Sequence, residues 1–187
     1  MKRVLLGLGS NRSFEGKSPV ELLFCARTEL EQHLDGLSFS SLYRTPAMYV
    51  KNQEDFYNMA AVGYVSDEKD PFDFLHIINE IEAKYGRDRS KEIRFGPRSL
   101  DIDIELFGNE KINHPDLQIP HPRMQERAFV LIPAIEILTD SADVLIRDKY
   151  ISALEKITRE GGADGIVKVG GCQNGKGTDS CSNKTCI

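Results

Sequence analysis

The chain has 187 residues, 40% hydrophobic and 28% charged, with a net charge of −5. That length suits one domain with a sizeable core, and the acidic balance argues against a molecule-wide footprint for nucleic acid. No apolar run approaches the roughly 18 residues of a membrane span, and the apolar part of the N-terminus is too short for a signal peptide, so a cytoplasmic protein is expected.

In chain order, residues 3–9 form an apolar run with a glycine-rich end, which predicts a first strand. Ser18-Pro19-Val20-Glu21 then reads as a helix start: serine as N-cap, proline at the first helical position, glutamate three residues after the cap. Leu23, Ala26, Leu30 and Leu34 keep helical spacing, and Asp35-Gly36 ends the helix. Residues 37–45 and 56–65 are expected as the second and third strands. Asp70-Pro71 opens a second helix with the apolar stripe Phe74, Leu75, Ile78, Ile81 and Tyr85, and Gly86 stops it. A fourth strand covers residues 100–107. This βαββαβ order predicts a ferredoxin-like α+β fold, an antiparallel sheet with helices packed on it. Further helices are expected near residues 126–138 and 149–160, and a short strand at 166–169. No linker or repeat divides the chain before residue 160. Residues 1–160 therefore form one expected domain, and 161–187 a possible edge strand followed by a flexible tail.

The fourth strand carries the chemistry. Leu100, Ile102, Ile104 and Leu106 alternate with Asp101, Asp103 and Glu105, so one face is apolar and the other acidic. Carboxylates two residues apart along a strand lie roughly 6.6 Å apart at Cα and repel unless cations gather them. Such an oxygen-rich site suits Mg²⁺, which takes one or two carboxylates plus waters and phosphate oxygens. Just upstream, Arg87, Arg89, Lys91, Arg94 and Arg98 make a basic loop. Together they suggest a metal-bound polyphosphate. The alternative reading is a solvated charged loop before an edge strand.

Other motifs are weaker alone. Gly7-Leu-Gly-Ser-Asn-Arg12 lacks the third glycine and the immediate helix of a dinucleotide fingerprint. No complete Gly-x-x-x-x-Gly-Lys-Ser/Thr phosphate loop exists, since Asn11 stands where the glycine preceding Gly16-Lys17-Ser18 would be. His121 and Phe129 taken singly are more often structural than functional.

Together these segments resemble the 6-hydroxymethyl-7,8-dihydropterin pyrophosphokinase family of the folate pathway. The matching residues are Gly9-Ser-Asn11, Tyr43-Arg-Thr-Pro46, Phe56-Tyr-Asn58, Phe95-Gly-Pro-Arg-Ser-Leu-Asp-Ile-Asp-Ile104, Pro120-His-Pro122 and Arg127-Ala-Phe129. The resemblance spans about residues 3–140, with Phe95 where the family commonly has tryptophan. It implies an enzyme, an ATP-dependent diphosphotransferase. Intact pyrophosphate would pass to the pterin's hydroxymethyl group, releasing AMP. It further implies Arg98, Asp101 and Asp103 as catalytic residues, with two Mg²⁺ ions on Asp101 and Asp103. ATP contacts fall on Asn79, Glu82, Lys91, Arg98, His121 and Arg127, with Asn79 and Glu82 near the nucleoside. Pterin contacts fall on Thr45, Pro46, Met48, Phe56, Asn58 and Phe129, with the two phenylalanines as ring partners. The 87–95 loop is expected to close over ATP. The partners implied are small molecules, with no nucleic acid and no membrane, for a monomer. The competing reading is a non-catalytic, ferredoxin-like metal- or nucleotide-binding regulatory module.

Cys25 falls within the first helical pattern and is expected in the core. Cys172, Cys181 and Cys186 are separated by eight and four residues, which matches no paired zinc-ligand spacing.

Overall fold

In the computed structural model, which describes residues 1–47, 53–88 and 96–170, the chain opens with β1 (Lys2–Ser10). α1 (Pro19–Leu30) follows, its start set by the expected capping box: Ser18 accepts from the Glu21 N–H while the Glu21 carboxylate accepts from the Ser18 N–H. Then come β2 (Asp35–Phe39), β3 (Leu42–Thr45) and β4 (Phe56–Val65). α2 (Pro71–Lys84) is capped by Asp70, and β5 (Asp101–Phe107) follows. A two-stranded ribbon, β6 (Ile112–Asn113) with β7 (Gln118–Ile119), precedes α3 (Ala128–Ile137), α4 (Val144–Arg159) and β8 (Val167–Gly170).

The main sheet is antiparallel with the order β5-β1-β4-β3-β8, and β2 also pairs with β4. This is the ferredoxin-like arrangement of the βαββαβ order. α1 and α2 cover one face, where Leu23, Ala26, Leu30, Phe74, Ile78 and Ile81 pack on Val4, Leu6 and Leu8. α3 and α4 add a second layer on the other face, packing Val130, Leu131, Ala134 and Tyr150 on Leu5, Ala60 and Val62. Each fully buried leucine contributes about 1.5–3 kcal/mol.

Two local departures from the expected pattern matter. The expected strand 37–45 is interrupted. Phe39 pairs with Ala61 and Tyr43 with Asn58, so four steps on one side match three on the other. One extra residue sits at Ser40-Ser41, a β-bulge. The Ser40 hydroxyl accepts from the Ala60 N–H at 2.8 Å, and the displaced Ser41 N–H donates to Glu136 on α3 at 3.1 Å. Side chains thereby replace the missing ladder bond.

The second bulge lies in β5. Leu5 pairs with Leu106 but Leu6 with Ile104, leaving Glu105 as the extra residue. The strict alternation expected for residues 100–107 therefore ends at Ile104. Leu106 packs toward the α3 side, and Phe107 takes the α1/α2 side at 0% exposure. α4 also starts earlier than expected, because Asp140 and Asp143 form a reciprocal cap on the turn preceding it.

Candidate active site

α3 covers only part of its sheet face. At the Gly7–Gly9 end of β1 the face is open, and a cleft of about 810 Å³, counted out to open solvent, fills the gap. Glycine leaves room there: a Cβ on Gly7 would lie a tight 3.0 Å from Glu105 Oε1, and one on Gly9 3.0 Å from Asn58 Oδ1.

One wall is acidic and basic. Asp101 and Asp103 project from β5 into the cleft, with Arg98 before them and Arg127 at the start of α3. Asp101 is gripped by Arg87 and Arg98. Enclosure alone would raise its pKa, but these two guanidiniums outweigh it and hold Asp101 below the ordinary carboxylate range. Among the described residues Asp103 pairs with Arg127, at 3.9 Å. Enclosure and the neighbouring Asp101 push it up to about 7. Among the described residues the two carboxylates thus differ: Asp101 is closely paired and Asp103 less closely compensated. No three ligating side chains surround a single point among the described residues. Two strand carboxylates, one of them less closely compensated, fit Mg²⁺, which shares its shell with waters and substrate phosphates.

Glu105 lies behind this pair, 1% exposed. Its carboxyl oxygens have no hydrogen-bond partner among the described residues, and the His121 imidazole lies 3.7 Å away. Burial, then Asp103, raise its pKa well above normal. His121 itself is brought down to about 4 by burial and Arg127, so it is neutral at pH 7.

The opposite wall is flat and apolar with a polar edge. Phe56 and Asn58 of β4, Thr45 at the end of β3, Pro46 just after it, and Phe129 of α3 all line it. The Asn58 amide is oriented by donating Nδ2–H to Thr45 Oγ1 at 2.6 Å. The Arg127 guanidinium sits 5.7 Å from the Phe129 ring centre, a cation–π contact that joins the two walls.

The fold therefore brings Thr45, Pro46, Phe56, Asn58, Arg98, Asp101, Asp103, Arg127 and Phe129 to one cleft. Glu82 and Asn79 lie on α2 behind the Asp101 side. The Glu82 carboxylate accepts from the Ile102 N–H at 2.7 Å and pairs with Arg87. Asn79 Oδ1 is buried without a hydrogen-bond partner among the described residues. Met48, Lys91 and most of the expected closing loop lie outside the described residues, as do Cys172, Cys181 and Cys186. The sequence reading missed Gln53 and Gly96 on the cleft wall. It also missed the part of Asn11, which ties the ends of the cleft loops together. Signals were present: the Gly7-x-Gly9 pair marks a bare sheet face, and Asn11 and Gly96 fall within the motif segments Gly9–Asn11 and Phe95–Ile104.

Comparison with known proteins agrees with this geometry. The family model described as 7,8-dihydro-6-hydroxymethylpterin-pyrophosphokinase matches residues 5–139. A 2-amino-4-hydroxy-6-hydroxymethyldihydropteridine pyrophosphokinase from Haemophilus influenzae is 37% identical over 155 residues, covering 81% of this chain and 89% of that protein. The protein of the same description from Bacillus subtilis is 44% identical over 98 residues, 52% of this chain and 56% of that one. A Plasmodium falciparum HPPK-DHPS crystal structure superposes with a TM-score of 0.58 at 16% identity, covering 85% of this chain and 46% of that chain. The chain thus spans about half of that solved structure and of the Bacillus protein, and most of the Haemophilus one.

Proposed function

Since the chain belongs to the 7,8-dihydro-6-hydroxymethylpterin-pyrophosphokinase family, we propose that this cleft transfers pyrophosphate from ATP to 6-hydroxymethyl-7,8-dihydropterin in folate biosynthesis. The observation that carries the reading is the meeting, in one cleft, of two strand aspartates with Arg98 and Arg127 against a wall of Phe56, Asn58 and Phe129. A regulatory module would need no such double wall.

The pterin hydroxymethyl oxygen bonds to the β-phosphorus of ATP. The bond from that phosphorus to the α–β bridging oxygen breaks, AMP departs, and the hydroxyl proton is released. Transfers of this kind need positioning and charge neutralisation more than covalent help. Phe56 and Phe129 hold the flat ring, each contact contributing roughly 1 kcal/mol. Asn58 matches its amide-like edge, with Thr45 and Pro46 beside it. Arg98, Arg127, Lys91 and neutral His121 contact phosphate oxygens, with the N-terminus of α3 adding its dipole. Asp101 and Asp103 would hold Mg²⁺, two ions in our reading. Bound there, Mg²⁺ supplies neutralisation of the triphosphate charge. Glu82 supports the site by fixing Arg87 and the β5 backbone. Asn79 and Glu82 border the nucleoside side, and Met48 completes the pterin edge.

We take residues 1–160 as the pyrophosphokinase unit, acting as a cytoplasmic monomer on small molecules. The net charge of −5 opposes binding of nucleic acid. Among the described residues no helix is long and apolar enough to cross a membrane.

The test is direct. The protein is mixed with ATP, Mg²⁺ and the hydroxymethyl dihydropterin. AMP and the pterin pyrophosphate should form in equal amounts. Release of ADP, or no pterin-dependent AMP, would overturn the assignment.

A further inference from the structure

Asn11 follows β1 immediately and is 3% exposed. Among the described residues its hydrogen bonds go to the segments carrying the two walls, Arg98 on one side and Gln53 and Glu54 on the other. The Arg98 N–H donates to Asn11 Oδ1 at 2.7 Å, and the Asn11 N–H donates to the Arg98 carbonyl at 2.9 Å. The Arg12 N–H reaches the same carbonyl at 3.0 Å. On its other side, Asn11 Nδ2 donates to the Glu54 carbonyl at 3.1 Å and to Gln53 Oε1 at 3.4 Å. The amide has one workable orientation. Reversing it would set nitrogen against the Arg98 N–H and oxygen against the Glu54 carbonyl.

Arg98 stands on the phosphate wall. Glu54 lies two residues before Phe56 on the pterin wall. A single buried amide therefore spans the two segments whose separation sets the distance between acceptor hydroxyl and β-phosphorus. Buried polar networks that are fully satisfied hold one geometry, because each alternative leaves a group unpaired.

We propose that Asn11 is a positioning residue for the transfer: it sets the register of the pterin wall against the phosphate wall. This rests on the pyrophosphokinase reading. It makes a split expectation. Each ligand has its own contacts, so binding of either alone depends little on Asn11. The rate with both bound depends on it strongly, because misplacing reacting groups by about 1 Å can cost about 10²-fold.

The experiment compares wild type, Asn11→Ala and Asn11→Asp. The aspartate keeps the acceptor for the Arg98 N–H but cannot donate to the Glu54 carbonyl. Melting curves give the folded fraction of each. Single-turnover rates at saturating ATP, Mg²⁺ and pterin, per folded molecule, should fall about 10²-fold in both variants. Affinity for Mg²⁺ with α,β-methylene ATP should stay within about threefold. A purely structural role would change the melting temperature and leave the saturated rate per folded molecule intact, and that result would overturn the proposal. A second measurement needs no variant. In the wild type, Mg²⁺ with α,β-methylene ATP alone should slow amide exchange at residues 55–57 on the pterin wall. Unchanged exchange there sinks the idea even if both variants fail to fold. Wild-type protein that forms no AMP would instead overturn the underlying function.

Discussion

Asp101 and Asp103 are two residues apart, yet their surroundings push them in opposite directions. Arg87 and Arg98 hold Asp101 ionised, whereas among the described residues Asp103 pairs with Arg127 at 3.9 Å. In the proposed reaction both neutralise triphosphate charge through bound Mg²⁺. Asp101→Ala or Asp103→Ala should therefore lower kcat by about 10³-fold or more, several kcal/mol of transition-state stabilisation. Steady-state assays that find near-normal turnover in either variant would remove these residues from the chemistry. Asn58 makes a different demand. Its amide is fixed by Thr45 and faces the cleft, so truncation leaves an edge of the pterin unpaired. Asn58→Ala should weaken pterin binding about 10–100-fold, the scale of one lost buried hydrogen bond. Binding of Mg²⁺ with an ATP analogue should change by less than about threefold. Calorimetric titration of each ligand checks this, and equal losses would contradict the division between walls.

At the scale of elements, the bulge at Ser40-Ser41 depends on Glu136. This α3 carboxylate accepts from the Ser41 N–H, the Ser41 hydroxyl, the Tyr43 hydroxyl at 2.8 Å and Lys168 at 3.2 Å. It thus fastens β3 and β8 to α3 just where β3 leads into Thr45 and Pro46. Burial opposes its charge, but the Ser41 and Tyr43 bonds outweigh burial and leave its pKa below normal. A carboxylate with a depressed folded pKa adds stability above its unfolded pKa and loses it as pH falls through the folded value. Glu136→Gln should cost about 1–2 kcal/mol at pH 7, the scale of bonds to a charged acceptor. The gap to wild type should close below about pH 4. Urea melts across pH 3–8 would show it, and a gap independent of pH would mean the charge is irrelevant.

On the scale of the whole molecule, two helical layers enclose the sheet, and the second stops short to leave the cleft. β8 closes the sheet at the edge away from β5, so its residues should matter to stability while those beyond it do not. Residues 161–187 hold seven glycines and three of the four cysteines. Beyond Gly170 the sequence offers few large apolar side chains to bury, so removing that part is expected to cost little stability. A chain ending at Gly170 should keep its kcat and stay within about 1 °C of the wild-type Tm, well inside the shift of about 2–4 °C per kcal/mol expected at this size. A chain ending at Ile166, which removes β8, should melt lower. Thermal scans and steady-state kinetics on both truncations decide it, and a substantial loss at Gly170 would assign the tail a function.

The elements were legible from local patterns. Ser18–Glu21 announced α1, Asp70-Pro71 announced α2, and alternation announced β5, because caps and periodicity act within a few residues. The aspartates, Arg98 and the aromatic pair were legible as motif residues. What no local pattern carried was register. A bulge is decided by which strand lies alongside, and a one-residue slip turns every later side chain to the other face. That is why Glu105 and Leu106 leave the expected alternation, and why Ser41 turns to Glu136. The opposite pKa shifts of Asp101 and Asp103 have the same origin. They depend on Arg87 and Arg127, which only the folded chain brings within reach, and on Arg98, which lies three residues before Asp101. Asn11 belongs here too: the Gly9-Ser-Asn11 motif marked it without giving it a role, and only the folded chain sets Arg98 on one side of it and Glu54 on the other.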